Sequence, residues 1–174
     1  MSSFEYISAV KDFDDAPEAI RSLLSIWHRL KADHNYPFKS ELDPIEFKGF
    51  LGRLCVIDIT QDPLDFIYRL DGTEISAASN EDLAGQSILK GTPSEIYQSH
   101  FEEFKVTFEA AKPMLWQISY VVPECEFDYY RVMLPFSRDI QSTSSKPDLF
   151  ITYCHSRTSD TGSFKSFRQL STVQ

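Results

Sequence analysis

The chain has 174 residues, of which 42% are hydrophobic and 25% are charged. At about 100–200 residues per domain, this length predicts one folded domain and excludes a multidomain enzyme. The formal net charge of -9 excludes nucleic acid and anionic membrane as expected partners, because both would repel an acidic surface.

The N-terminal residues and the cysteines indicate a cytoplasmic protein. Residues 1–5 contain neither a basic nor an apolar segment, and no apolar run in the chain reaches the roughly 18–20 residues of a membrane span. The three cysteines, Cys55, Cys125 and Cys154, form no CxxC pair. An odd number of cysteines in this context predicts free thiols and no disulfide framework.

The first part of the chain is predicted to contain one helix behind a loose leader. Residues 1–15 show no periodicity, and residues 16–34 are expected to hold the helix. Asp15 and Glu18 have the spacing of a capping signal at its start. The following apolar residues recur at helical spacing and share one face: Ile20, Leu23, Leu24, Trp27 and Leu30.

Strands and a second long helix are predicted for the rest of the chain. In chain order we expect a short helix at 45–51, strands at 54–60 and 66–71, short helices within 73–91, a long helix at 93–111, and strands at 115–122, 127–136 and 149–155. Thr92 and Glu95 are spaced as a capping box for the long helix, and Pro93 suits its first position. Residues 158–174 are polar and are expected to form a tail. Without strand–helix–strand alternation, this order predicts an α+β domain with an antiparallel sheet.

Several short motifs follow one another in the order and spacing of a known family. They are Pro37, Asp43-Pro44, the segment from Tyr68 to Thr73 (YRLDGT), the turn from Asp82 to Gly85 (DLAG), and the segment from Arg131 to Pro135 (RVMLP). Through them, residues 18–156 resemble the PAS domain family, and within it a bacterial subfamily of single-domain PAS proteins. The resemblance implies a five-stranded antiparallel sheet in residues 35–157, with helices on one face. It also implies a cleft between sheet and helices that holds a small molecule or is packed.

The candidate ligand-binding residues lie on the predicted strands and on the long helix: Tyr68, Arg69, His100, Phe104, Trp116 and Tyr130. Aromatic side chains of such a cleft either line a cavity or fill the core. Arg69 either clamps a ligand carboxylate or, as we expect, ties its strand to a neighbouring Asp or Glu.

His100 is the residue with the most specific alternatives. We expect it at the edge of the apolar stripe of the long helix, half exposed. The alternative is a proximal haem ligand, because haem-binding PAS domains take that histidine from this helix. Flavin is not expected, because the flavin-binding class needs a reactive cysteine early in the helical region and residues 73–91 contain none.

The sequence contains no signature of an enzyme or of a metal site. GxSxG, HExxH, GxxxxGK[ST] and GxGxxG are absent, and the four histidines are not paired at metal-ligand spacing. We therefore expect no catalytic residue and no metal ligand. The resemblance implies a sensory or regulatory module that binds an unknown small molecule or signalling protein in bacterial signalling.

Two other functions stay open. One is a small α+β-cone enzyme of the SnoaL or NTF2-like type, such as an isomerase or hydratase, which has a similar length and similar elements. The other is a purely structural dimerisation domain. Because the N-terminal helix precedes the PAS-like domain, part of its apolar face is expected to need an outside partner. We therefore predict a homodimer that forms through this helix.

Overall fold

The computed structural model describes residues 5–79, 81–90, 92–122 and 125–164. They form one antiparallel sheet of six strands in the order β1-β4-β5-β6-β2-β3. The strands are β1 (Glu5–Lys11), β2 (Leu54–Thr60), β3 (Asp65–Leu70), β4 (Met114–Val122), β5 (Cys125–Phe136) and β6 (Leu149–Ser156). The helices are α1 (Glu18–Lys31), α2 (Thr73–Ser79) and α3 (Tyr97–Ala110), and short 3-10 turns lie at Phe13–Asp15, Lys39–Glu41, Leu51–Arg53 and Ser94–Ile96. The predicted α+β class is confirmed, with six strands where five were expected.

Both faces of the sheet are buried: α2 and α3 lie on one face, and the predicted N-terminal helix, α1, covers the other. Along β2, Leu54 and Val56 face a hydrophobic cluster that includes α1, whereas Cys55 and Ile57 face a second cluster that includes α3. Successive side chains of a strand point to opposite faces, so a strand with apolar residues at both parities needs cover on both sides. Cys55 and Cys154 are buried free thiols, as predicted.

Helix α1 covers the sheet of its own chain. Ile20 and Leu23 are fully buried, and the Trp27 ring packs beside them and donates its Nε1 hydrogen to the Pro135 carbonyl oxygen at 2.8 Å. The most apolar part of this face is therefore already covered inside one chain. That removes the reason for which a partner was expected at this helix, and a homodimer through α1 stays a prediction.

The start of α1 differs from the predicted cap. The residue at the N-cap is Pro17, which makes no side-chain capping bond, and the helix begins at Glu18. Asp15 does not cap it because residues Phe13–Asp15 form a 3-10 turn, in which the Asp12 carboxylate accepts from the Asp14 amide at 3.0 Å.

The predicted loose leader contains the sheet's first strand. Strand β1 pairs along its whole length with β4, and Tyr6 lies opposite Tyr120. The sequence of β1, EYISAVK, contains residues with good strand propensity. Apolar and polar residues hardly alternate along these seven residues, because most side chains at this edge of the sheet are exposed.

Three further segments differ from expectation. The helix expected at 45–51 is a run of turns followed by a 3-10 turn. The capping box expected before α3 does not form, since the Thr92 hydroxyl donates to the Ile88 carbonyl oxygen and a 3-10 turn precedes the helix. The expected tail packs in its described part: Gly162 accepts from the Ser156 amide, and the Phe164 ring lies edge-on to Tyr129. Residues 165–174 of that tail lie outside the described ranges.

No helix in the described part of the chain is both long enough and apolar enough to span a membrane.

Candidate functional site

A cavity of about 160 Å³ lies between the N-terminal half of α3 and the sheet. Strands β1, β3, β4 and β5 supply its floor, and the segment between α2 and α3 supplies its rim. Four tyrosines and one histidine dominate the lining, which comprises Tyr6, Tyr68, Glu81, Leu83, Ile88, Lys90, Thr92, Pro93, Ile96, His100, Tyr120 and Tyr129.

Helix α3 turns a partly polar face towards the sheet. His100, Glu103, Phe104 and Thr107 are all buried, at the i, i+3, i+4 and i+7 positions of one helical face. Three of these four side chains are polar, so the contact between α3 and the sheet needs polar partners.

The central polar contact is a buried ion pair between Glu103 and Arg131 of β5. Arg131 Nη1 lies 2.8 Å from Glu103 Oε2, and the two side chains are 8% and 1% exposed. The Tyr6 hydroxyl donates to the other carboxylate oxygen, and Arg131 Nη2 donates to the Tyr129 hydroxyl oxygen at 3.0 Å. Burial raises the pKa of Glu103, and Arg131 and the Tyr6 hydroxyl oppose that rise. Both charges are therefore partnered inside the protein.

His100 is buried beside this pair and faces the cavity, which corrects the prediction that it is half exposed. It is 7% exposed, and its ring lies edge-on to Phe104 with the ring centres 5.5 Å apart. Burial, and then the nearby Arg131, lower the pKa of His100 well below 6.5. The ring is neutral at pH 7 and offers one donor and one acceptor nitrogen. Within the described residues, neither nitrogen makes a hydrogen bond.

Two tyrosine hydroxyls complete the polar lining. Burial raises the pKa of Tyr68 and of Tyr129, so both stay protonated. The Tyr129 oxygen accepts from Arg131, which leaves its own hydrogen free to be donated elsewhere. The Tyr68 hydroxyl has no hydrogen-bond partner in the part of the chain that the structure describes. His100, Tyr68 and Tyr129 therefore offer neutral hydrogen-bond donors and acceptors to the cavity, whose lining also contains the charged Glu81 and Lys90.

Comparison with known proteins identifies the family. The PAS domain family model matches residues 16–117, which run from the start of α1 into β4. The chain belongs to the PAS domain family. As a PAS domain it is, in general terms, a sensory or regulatory module. Searches of the curated proteins and of the solved structures gave no match.

The PAS domain brings three of the six predicted binding residues to the cavity region. Tyr68 and His100 line the cavity, and Phe104 lies behind His100, 2% exposed. Trp116 is buried on the same sheet face but does not line the cavity, and its Nε1 donates to Thr107 Oγ1 at 3.1 Å.

Arg69 and Tyr130 do not join this site. The largely exposed Arg69 donates its Nε hydrogen to the carboxylate of the buried Asp58 at 2.7 Å, which confirms the expected structural tie. Tyr130 packs against the cluster that includes α1, with the Arg157 guanidinium 5.3 Å from its ring centre. Tyr130 does not lie in the cleft as predicted, because side chains alternate along β5 and those of Tyr129 and Arg131 point to the cavity side.

Among the residues of the site that sequence reasoning missed are Tyr6, Glu103, Tyr129 and Arg131. Arg131 had a usable signal, because an arginine among apolar strand residues needs a buried anion. Glu103, one turn after His100, was that anion. Tyr6 had no signal, since its strand was assigned to the leader.

The cavity does not fit the cofactors considered for this helix. Its volume is too small for a haem macrocycle or an isoalloxazine ring system without rearrangement of α3. The described residues contain no group of three or more His, Cys, Asp or Glu side chains that could hold a metal ion.

Proposed function

We propose that this PAS domain is a sensory module of bacterial signalling that binds a small, uncharged, single-ring molecule in its cavity and has no catalytic activity. The observation that supports it best is the neutral His100 ring, buried, facing the cavity and without a hydrogen-bond partner among the described residues. No fully buried side-chain nitrogen or oxygen of the described residues lacks a partner, so the His100 nitrogens are accessible from the cavity, where a ligand can bond to them.

The size of the cavity limits the ligand. At about 160 Å³ it is close to the engineered cavity of about 150 Å³ that holds benzene. It is smaller than the roughly 300–1,000 Å³ pockets that take drug-sized molecules. One ring with a small substituent fits this space.

The charges of the site favour a neutral ligand. The positive charge of Arg131 is already matched by Glu103, so an anion would enter without a free counter-charge. The two charged residues of the lining, Glu81 and Lys90, have opposite signs. Tyr68, Tyr129 and His100 can instead bond to a hydroxyl or carbonyl substituent.

The same arrangement supports a module without chemistry of its own. Glu103 is held by Arg131 and Tyr6 and does not line the cavity, so it is not presented to a bound molecule. Glu103 is therefore not available to His100 as an acid–base partner on a bound molecule. A module that does no chemistry acts through contact with another chain, so a protein partner in the cytoplasm is part of the proposal.

Calorimetric titration with phenol, benzyl alcohol and benzoate tests the proposal. We expect the two neutral rings to bind and benzoate not to bind. Tyr68→Phe should weaken phenol binding about three- to tenfold, because one hydrogen bond is lost. Tyr130→Phe is the matched control, since Tyr130 lies on the other sheet face, and it should leave binding unchanged.

Native mass spectrometry of freshly purified protein gives an independent result. A retained ring-sized mass would support the proposal and identify the ligand. Failure of both neutral rings to bind at millimolar concentration, or equal binding of benzoate, would contradict it. Conversion of a bound ring into a product over hours would contradict the proposed sensor and would indicate the alternative function, a small enzyme.

A further inference from the structure

Strand β1 forms one edge of the sheet, and no strand pairs with its outer side in the described part of the chain. Two of its apolar side chains are largely exposed: Ile7 by 56% and Val10 by 52%. Its pairing with β4 is regular over all seven residues. It contains no proline, which commonly protects an edge strand from pairing.

The opposite edge of the sheet is covered. The segment 85–88 runs along β3 and bonds to its backbone: the Tyr68 amide donates to the Gln86 carbonyl, and the Ile88 amide donates to the Phe66 carbonyl. The apolar face of α1 is also covered by the chain's own sheet. Strand β1 is thus the edge with exposed apolar residues and free pairing capacity.

We propose that β1 is a dimerisation edge, along which two copies of this chain pair antiparallel and join their sheets. In an antiparallel pair of identical strands related by a twofold axis, two residues that face each other point to the same side of the sheet. Because side chains alternate along a strand, the residue numbers of such a facing pair add up to an even number. Only the register centred on Ser8 pairs all seven residues of β1. The resulting pairs are Glu5 with Lys11, Tyr6 with Val10, Ile7 with Ala9, and Ser8 with itself.

The strand is complementary to itself in this register. Glu5 and Lys11 are exposed and form no ion pair within the described residues. On one strand they are six residues apart, about 20 Å, so they do not contact each other inside a chain. Across the twofold axis they meet twice, once at each end of the pair. Between them, Val10 meets Tyr6 and Ile7 meets Ala9, which are favourable apolar cross-strand pairs.

This inference does not depend on the proposed ligand. Glu5 and Lys11 do not line the cavity, so changes at these positions test the dimer separately. A single seven-residue strand makes a small interface, and we expect a reversible dimer that depends on concentration.

Sedimentation equilibrium over about 10 to 500 µM, with charge reversal, tests the edge. Glu5→Lys places lysine opposite Lys11 at both ends, and Lys11→Glu places glutamate opposite Glu5. Each should weaken dimerisation by at least about tenfold, since two attractive contacts become repulsive. Glu102→Lys, at an exposed position of α3, is the matched control and should leave the dimer unchanged.

Two combinations should restore pairing. The double variant E5K/K11E exchanges the charges within one strand and should dimerise like the wild type. An equal mixture of the E5K and K11E variants should form a heterodimer, although each alone is weakened. A monomer at every concentration would overturn the proposal. So would a dimer that is insensitive to the single reversals, as a dimer through α1 would be.

Discussion

At the scale of single residues, the pair formed by Glu103 and Arg131 decides how α3 meets the sheet. Both side chains are buried. Glu103 also accepts a hydrogen bond from the Tyr6 hydroxyl, and Arg131 also donates one to the Tyr129 hydroxyl oxygen. A buried pair of this kind adds little net stability by itself, but loss of one partner leaves an isolated charge in the interior.

Removing one charge should therefore cost far more than removing both. We expect Glu103→Leu or Arg131→Met to lower the free energy of unfolding by about 3–5 kcal/mol, and the double variant to lose less than the sum of the two. Urea denaturation of the four proteins measures this.

The surface pair of Arg157 with Asp128 provides the comparison, because its side chains are 34% and 28% exposed. Arg157→Met should change the free energy of unfolding by about 1 kcal/mol or less. A Glu103→Leu protein as stable as this control would show that the buried pair does not carry the contact.

The residues of the site could be predicted only where their neighbours in sequence marked them. Tyr68 lies in a recognisable motif, and His100 lies at the edge of a strong helical stripe, so the sequence points to both. Arg131 and Glu103 are 28 residues apart in the chain, and neither shows locally that it has the other as its partner. The sequence does not distinguish Tyr129 from Tyr130 as the cavity residue, because both faces of β5 carry aromatic residues.

At the scale of elements, α1 is an integral layer of the fold. Its Trp27 ring is 4% exposed and bonded to a carbonyl of β5. The sequence predicted this helix and its apolar face correctly. It did not show what the face covers, because amphipathic spacing indicates burial without naming the partner.

Trp27→Ala tests that layer. Loss of a buried tryptophan should lower the free energy of unfolding by about 3–5 kcal/mol. Arg21→Ala, at an exposed position of the same helix, should change it by about 0.5 kcal/mol or less. Chemical denaturation at two protein concentrations measures both. If the Trp27→Ala defect disappeared on dilution, α1 would be packing against a second chain.

At the scale of the whole molecule, two histidines give the fold a dependence on pH. Burial lowers the pKa of His100, with Arg131 adding to the effect, and burial lowers the pKa of His155, with Arg53 adding to it. In the unfolded chain both return towards 6.5. At pH values between 6.5 and the lower pKa of the folded protein, the unfolded state binds more protons than the folded state. The free energy of unfolding therefore decreases as the pH falls below about 6.5.

Unfolding free energies at pH 7.5, 6.5 and 5.5 check this. We expect the loss on acidification to approach at most about 1.4 kcal/mol per pH unit from His100, and to be smaller from the half-exposed His155. His100→Gln should remove most of the slope, and His155→Gln should remove less. Equal slopes in the wild type and in His100→Gln would contradict the burial of a neutral imidazole.

The sheet order also has a consequence for how the molecule is made. Tyr6 pairs with Tyr120, so β1 leaves the ribosome more than a hundred residues before the strand it needs. During that interval helix α1 and the β2–β3 hairpin can form from local contacts, whereas β1 has no sheet to join. We therefore expect its attachment to β4 to be a late step of folding.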